Sequence, residues 1–209
     1  MKNFLAVDTS NNHLAVLACK NGNVQSVFIP DCAMKHSVSI MPAVEEALKK
    51  ADLRLEECDF FAAVVGAGSF TGIRIGISVV KGFCLAFGKP ALPVTSFDVA
   101  AYNALDGDSK QLCLVDALHD CYYVCGYENG QVVYQPAYLE EEEVLKLAGE
   151  GYSLVSCTRL PLEEKIPVLS ADPCKGLERA VLALSAEEKF GDLTALYVRK
   201  SSAELNLNK

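Results

Sequence analysis

The chain has 209 residues, of which 51% are hydrophobic, and its mean hydropathy is +0.19. This composition excludes a disordered chain and supplies enough apolar side chain for one large α/β domain or two smaller lobes. The formal net charge is −8, and no Lys/Arg cluster stands out. A free-standing nucleic-acid-binding protein needs a positive surface to displace counterions from phosphates, so any link to RNA is expected to run through a partner protein.

Short apolar runs and scattered cysteines indicate the compartment. The run at residues 60–65 is far shorter than the ~20 residues that cross a bilayer, and Asp8 interrupts the N-terminal segment before it could form a secretory signal. The nine cysteines lack the paired spacing of a zinc site and lie in apolar segments, which predicts reduced, buried thiols. We expect a cytoplasmic protein without a membrane span.

Three short apolar segments open the chain and predict a three-stranded meander. The turn at Asn21-Gly22 joins the second segment to the third, because both residues tolerate positive φ. Beyond the meander the apolar period changes to that of helices. The predicted strands of this half are 4–8, 13–19, 24–29 and 60–65, and the predicted helices are 37–50, 71–87 and 97–105.

The same order returns in the second half. Asp8 and Asn21 are separated by 13 positions (21 − 8), and so are Asp116 and Asn129 (129 − 116). An internal duplication of a β-β-β-α-β-α unit would build two similar lobes around a cleft, residues 1–105 and 106–209, with the last segment a candidate to pack back on the first lobe. The alternative is a chance likeness of two α/β halves. The second-half strands are predicted at 114–116, 121–125, 131–133 and 153–157, and the helices at 140–148 and 174–184.

A glycine-rich turn at residues 66–76 connects a buried strand to the start of a helix. One interpretation is a phosphate-binding turn, because free N–H groups at a helix N-terminus attract anions. The other is a tight turn in which Gly72 and Gly76 let a neighbour approach closely. Ser69 or Thr71 would cap the helix. The spacing matches neither a Walker A loop nor a dinucleotide-binding motif, so both interpretations stay open.

The turn also carries a family resemblance. Residues 66–76 read Gly-Ala-Gly-Ser-Phe-Thr-Gly-Ile-Arg-Ile-Gly, which resembles the Gly-Pro-Gly-Ser-Phe-Thr-Gly-Leu/Val-Arg-Ile-Gly signature of the TsaB (YeaZ) family, with Ala67 replacing Pro. The stretch 135–192 offers little that matches, and residues 118–120 lack the family's usual Arg and Glu. Further landmarks match in order: Asp8-Thr9-Ser10, Lys35-His36-Ser37, Ile40-Met41-Pro42, Asp116-Ala117 and Tyr197-Val198-Arg199.

The resemblance implies a fold and a role. The family belongs to the actin-like ATPase superfamily, whose members have two ribonuclease H-like α/β lobes. Its members pair with TsaD, a paralogue that transfers a threonylcarbamoyl group to adenosine 37 of tRNAs reading ANN codons, and with the ATPase TsaE. The implied partners are thus a TsaD-type paralogue and a TsaE-type ATPase, with tRNA contacted only indirectly and a homodimer in isolation.

The sequence favours a non-catalytic subunit. Where TsaD-like enzymes carry a His-x-x-x-His metal pair, this chain has no histidine between Val94 and Ala100, so we assign no catalytic and no metal-binding residue. No cofactor is then required, and any ATP or ADP would bind weakly, in the cleft or at the partner interface. The alternative is an autonomous ATP-dependent phosphotransferase or ATPase. A glycoprotease lacks support, because no metal motif and no Ser–His–Asp order is found.

Two residue sets follow from these predictions. The vestigial nucleotide cleft would contain Asp8, Thr9, Ser10, Gly66, Gly68, Ser69, Thr71, Gly72 and Asp116. The partner surface would lie on the first two long helices, at His36, Ser37, Ile40, Met41, Val44, Ile73, Gly76, Ile77, Val80 and Phe83.

Overall fold

Two five-stranded sheets with the same connectivity form the framework of the computed structural model, which describes residues 2–103 and 110–199. In each sheet the second strand pairs antiparallel with the first, the third pairs antiparallel with the second, and the fourth pairs parallel with the first. This matched order confirms the predicted duplication. The first sheet has the order β3 (Asn23–Ile29), β2 (Leu14–Lys20), β1 (Phe4–Asp8), β4 (Phe60–Val64), β5 (Ala91–Val94), and the second β8 (Gln131–Glu140), β7 (Cys121–Glu128), β6 (Gln111–Asp116), β9 (Ser153–Ser156), β10 (Leu169–Ser170).

Five α-helices connect the described strands, and two places differ from the predicted order. Each copy has a fifth strand, too short to stand out in the apolar pattern. The connection after the fourth strand is an 18-residue helix in the first copy but only the 3₁₀ turn Pro161–Glu164 in the second. The predicted lobe boundary at residues 105 and 106 lies outside the described residues. The helices are α1 (His36–Ala51), α2 (Phe70–Phe87), α3 (Ser96–Asn103), α4 (Glu141–Gly149) and α5 (Pro173–Ala186).

Local sequence explains the turns that frame both lobes. Asn21 and Gly22 adopt φ of 53° and 85°, and their counterparts Asn129 and Gly130 adopt 51° and 73°. These left-handed conformations are the ones for which the Asn-Gly pair is selected. The duplicated meander therefore repeats its turn chemistry as well as its spacing.

The helices divide between the two faces of the first sheet. Helices α1 and α2 cover one face, whereas α5 of the second half packs on the other. Helix α3 of the first half, in turn, packs with Phe97 and Ala100 against the second sheet. Each half thus places one helix on the sheet of the other half.

A C-terminal crossing segment, residues 187–199, links both sheets. On the first sheet, Gly191 N–H donates to the carbonyl oxygen of Ala91 at 3.0 Å, and Leu196 N–H donates to that of Val65 at 2.7 Å. On the second, Val198 packs on the core and the Arg199 guanidinium donates to the Tyr138 hydroxyl at 2.9 Å. The segment therefore fixes the two lobes relative to each other.

Helix α2 is unusually apolar at its surface. Among the described residues it is the one helix with the length and composition of a membrane span, 18 residues with a hydropathy of 1.5, yet only 28% of it is buried. Core helices pass the same test, but they are mostly buried. The inner face, with Ile73, Ile77 and Val80, packs on the first sheet. This packing does not explain the apolar side chains on the exposed face of α2.

Candidate functional site

The candidate site is a cleft of about 640 Å³ between the two lobes. Its first wall comes from the turn after β1 and the N-terminal ends of α1 and α2. Its second wall comes from the segments that follow β6 and β9. The lining residues are Ser10, Asn11, Asn12, Ala33, Met34, His36, Ser37, Gly68, Ser69, Phe70, Thr71, Gly72, Ile75, Asp116, Ala117, Leu118, Tyr123, Thr158 and Arg159.

Six of the nine residues predicted for a nucleotide cleft line this space, and three do not. Asp8, Thr9 and Gly66 are buried behind the wall. The six that line it are Ser10, Gly68, Ser69, Thr71, Gly72 and Asp116.

The carboxylate of Asp8 is used inside the first lobe. One oxygen accepts hydrogen bonds from the Ser10 N–H at 2.8 Å and the Ser10 hydroxyl at 2.7 Å, and the other lies 3.2 Å from His13 Nε2. Burial alone would raise the pKa of Asp8, but the bonds from His13 and Ser10 outweigh it and hold that pKa below its ordinary value. With 1% of its surface exposed, Asp8 caps its own turn and does not line the cleft.

Close packing accounts for the glycine-rich turn. A β-carbon added to Gly68 would lie 2.1 Å from the carbonyl oxygen of Ser10, and one added to Gly72 would lie 2.1 Å from that of Thr9. Neither position can hold a larger residue, because the turn after β1 lies directly against the start of α2. Ser69 caps this helix by accepting a hydrogen bond from the Gly72 N–H at 3.2 Å, as predicted.

The second copy of the acidic turn is more open. The carboxylate of Asp116 accepts one hydrogen bond, from the Leu118 N–H at 2.8 Å, and its side chain is half-buried at the cleft. Leu118, His119 and Asp120 all have positive φ, at 63°, 55° and 54°. These three residues are the ones at which the sequence lacks the Arg and Glu of the family pattern.

Sequence reasoning missed several cleft residues. Arg159 lies in the stretch with little family likeness, and its position just after the predicted strand 153–157 was the available signal. Tyr123 lies in the predicted strand 121–125, and Phe70 lies in the glycine-rich turn. Whether their side chains face the cleft depends on how the two lobes pack, which the sequence does not show. Met34, which is 99% exposed, and Leu118 form apolar edges on opposite walls.

The charges of the cleft do not match a magnesium–nucleotide site. Of the described residues that line it, Asp116 and Arg159 are charged, and His36 and Tyr123 are also titratable. The described lining contains no lysine, and one of the two superfamily acids is sealed in its own turn. Within residues 2–103 and 110–199, no group of three or more His, Cys, Asp or Glu side chains could hold a metal ion. The residues present therefore lack the paired carboxylates and the lysine of such a site.

Comparison with known proteins places the chain in a family. The model of the TsaD family, described as tRNA N6-adenosine threonylcarbamoyltransferase, matches residues 25–172. The Escherichia coli tRNA threonylcarbamoyladenosine biosynthesis protein TsaB is 30% identical over 158 residues, which cover 70% of this chain and 68% of that protein. Its Buchnera aphidicola counterpart from strain Sg is 27% identical, over 79% of this chain and 73% of that protein.

The chain belongs to the TsaB (YeaZ) family. The solved structure of YeaZ from Pseudomonas aeruginosa superposes with a TM-score of 0.76 and 23% identity, covering 94% of this chain and 100% of that one. At this identity the likeness shows the fold. Together with the duplicated sheets, it confirms the two-lobed actin-like architecture expected of a TsaB-family chain.

In this TsaB-family protein the residues predicted to bind a partner are mostly covered already. Seven of the ten are buried in the lobe's own core or against the β1 turn: His36, Ile40, Val44, Ile73, Gly76, Ile77 and Val80. The hydrogen bond from His36 Nε2 to the carbonyl oxygen of His13 at 2.9 Å illustrates this internal use. Only Ser37 and Met41 are exposed, and Phe83 is half-buried. A contact surface on these helices must therefore combine Ser37 or Met41 with other side chains of their outer faces.

Proposed function

We propose that this chain is a non-catalytic subunit of the machinery that makes N6-threonylcarbamoyladenosine at position 37 of tRNAs reading ANN codons. In this role it binds and activates a TsaD-type paralogue. Family membership supports the pathway, since relatives along most of the chain are named as biosynthesis proteins for this nucleoside. The match to the TsaD family model is consistent with pairing between paralogues of one fold.

One observation carries the partner role: apolar side chains on the outer faces of α1 and α2 form a surface that residues 2–103 and 110–199 leave exposed. We call it the outer α1–α2 surface, formed by Val38, Met41, Val79, Gly82 and Leu85. Leu85 is 86% exposed and Val38 is 72% exposed, although both lie in regular helices. Gly82 has open space around its Cα, so another backbone could approach closely there. A helix whose apolar residues extend onto an exposed outer face usually packs against a second neighbour.

The remaining partners follow from charge and family. With a net charge of −8, this chain would contact tRNA only through the paralogue. A TsaE-type ATPase is the third component, and a second copy would occupy the outer α1–α2 surface when the paralogue is absent. The subunit would act in the cytoplasm. It would need no cofactor, and any ATP or ADP would bind weakly.

The competing proposal is an autonomous ATPase or phosphotransferase. Asp116 and the N-terminus of α2, which both lie at the cleft, favour it. The hydrogen bonds that tie Asp8 into its own turn argue against it. Steady-state ATP hydrolysis by the purified chain separates the two proposals. The subunit role predicts no turnover above that of the Asp116→Asn variant.

The decisive experiment measures binding to the TsaD-type paralogue of the same organism by calorimetry. Leu85→Glu and Val38→Glu each place a charge on the outer α1–α2 surface without touching the core, so we expect at least about a tenfold loss of affinity. Ile77→Glu is unsuitable, since Ile77 is buried and its replacement would unfold the lobe.

Leu169→Glu is the matched control, because Leu169 is an exposed leucine on the second sheet. It should bind with unchanged affinity. Full binding by the folded Leu85→Glu, Val38→Glu double variant would refute the placement of the partner.

A further inference from the structure

We propose that the cleft between the lobes binds a small zwitterion, with Asp116 recognising its cationic group and Arg159 its anionic group. A free amino acid is the simplest ligand of this class. The inference concerns a ligand rather than a protein partner, and it stands whether or not the chain binds a TsaD-type paralogue.

The duplication itself shows that Asp116 is free to act on a ligand. The two acidic turns are related by an offset of 108 residues (116 − 8), so Leu118 takes the place of Ser10, and Cys121 that of His13. The Ser10 hydroxyl and His13, which seal Asp8 in the first copy, are thus both replaced. Asp116 keeps only the bond from the Leu118 N–H, and its second oxygen has no partner among the described residues.

Arg159 and Asp116 reach the same cleft because of the strand order. Strands β6 and β9 are neighbours and run parallel, with Cys113 opposite Val155. Asp116 is the last residue of β6 and Arg159 follows the end of β9, so both lie at the carboxyl edge of the second sheet. The carboxyl ends of adjacent parallel strands are where open α/β sheets bind ligands.

The two opposite charges do not neutralise each other. Within the described part of the chain, neither Asp116 nor Arg159 takes part in an ion pair within 4.0 Å, yet both line the same cleft. A carboxylate and a guanidinium that line one cleft without pairing match a ligand that carries an ammonium and a carboxylate of its own.

The balance of charge decides between ligand classes. One carboxylate and one guanidinium sum to zero, whereas the phosphates of a nucleotide would bring several negative charges to a single cation. The rest of the wall includes apolar surface from Phe70, Leu118 and Tyr123, which suits an apolar side chain. Because Arg159 is exposed, water weakens its contribution, and the affinity is expected to be on the order of 1 mM.

The test is calorimetric titration of the full chain with each of the twenty free L-amino acids. The best binder is then compared with its α-amide, which lacks the carboxylate, and its N-acetyl form, which lacks the ammonium. Each loss should weaken binding about tenfold or more, because each removes a charge-assisted contact. Asp116→Asn keeps an oxygen for the Leu118 N–H, so the turn should remain folded, and Arg159→Gln removes only an exposed charge.

We expect Asp116→Asn to abolish the preference for the amino acid over its N-acetyl form, and Arg159→Gln to abolish the preference over its amide. Asp120→Asn and Arg54→Gln, which alter exposed charges outside the cleft, should bind like the unaltered protein. Melting temperatures confirm that each variant is folded. The proposal is overturned if no amino acid binds at its highest soluble concentration, if Mg–ATP binds and amino acids do not, or if the folded cleft variants bind unchanged.

Discussion

The hydroxyl of Thr9 donates a hydrogen bond to the carbonyl oxygen of Gly72 across 2.7 Å, and both groups are buried. This bond joins the turn after β1 to the first turn of α2. The approach is so close that a β-carbon on Gly72 would meet the carbonyl oxygen of Thr9 at 2.1 Å. The rigidity of the first cleft wall therefore depends on a residue without a side chain.

Gly72→Ala should destabilise the protein by about 2 kcal/mol or more, because the clash involves backbone on both sides and cannot be relieved by a rotamer change. Urea unfolding measures the loss. Gly82→Ala is the matched control in the same helix, where the added carbon meets nothing within 4 Å. There we expect a gain of about 0.5–1 kcal/mol from helix propensity. Equal effects of the two substitutions would contradict the packing argument.

The buried Asp8 should make stability depend on pH in the acid range. Its pKa is lowered in the folded protein relative to the unfolded value of about 3.9. Its stabilising contribution is thus fully present above about pH 4 and is lost as the pH falls through the folded pKa. We expect Asp8→Asn to cost about 1–3 kcal/mol at neutral pH and progressively less toward pH 2. A difference in unfolding free energy that stays constant over this range would contradict the assignment.

The repeated architecture could be predicted because local chemistry dictates it. Asn21-Gly22 and Asn129-Gly130 need left-handed backbone, and the apolar periods around them separate strands from helices. The exchange of α3 and α5 between the sheets could not be predicted. Both bury apolar side chains, and nothing in their own sequence says which sheet they cover.

The candidate site was predictable in position but not in its exposed residues. Asp8 and Asp116 occupy equivalent places in the two halves of the sequence. Only the structure shows that His13 and Ser10 bond to the carboxylate of Asp8, whereas the carboxylate of Asp116 stays open to the cleft. Helix α2 poses a similar problem. Its apolar residues extend over more than one face, so the pattern cannot say that Ile77 points inward and Leu85 outward.

We expect a surface cluster of Arg74, Phe70 and Tyr197 to stabilise the C-terminal crossing segment. Arg74 Nε donates to the Tyr197 hydroxyl at 2.8 Å, and its guanidinium lies 3.7 Å from the centre of the Phe70 ring, which stacks on Tyr197. A double-mutant cycle of Arg74→Ala and Tyr197→Ala should show a coupling of about 0.5–1 kcal/mol in unfolding free energy. Arg54→Ala combined with Tyr197→Ala should be additive, since the two are distant. Additivity of the Arg74 and Tyr197 substitutions would show that the cluster does not stabilise the segment.

The thiols provide a direct test of the core. Burial raises the pKa of Cys58 to about 12 and that of Cys113 well above its ordinary range, so neither should react with a thiol-specific disulfide reagent until the protein unfolds. Cys84 on α2, Cys157 after β9 and Cys174 at the start of α5 are half-buried. Burial raises the pKa of Cys174 to about 11 and that of Cys157 well above its ordinary range. Cys84 should therefore be labelled first and the other two more slowly, at rates that increase with pH, because the thiolate is the reactive form. Peptide mapping by mass spectrometry after timed labelling identifies the modified positions, and Cys84→Ser should remove one early site without changing the others. Labelling of Cys58 or Cys113 as fast as Cys84 in the folded protein would mean that the two sheets open far more readily than their packing indicates.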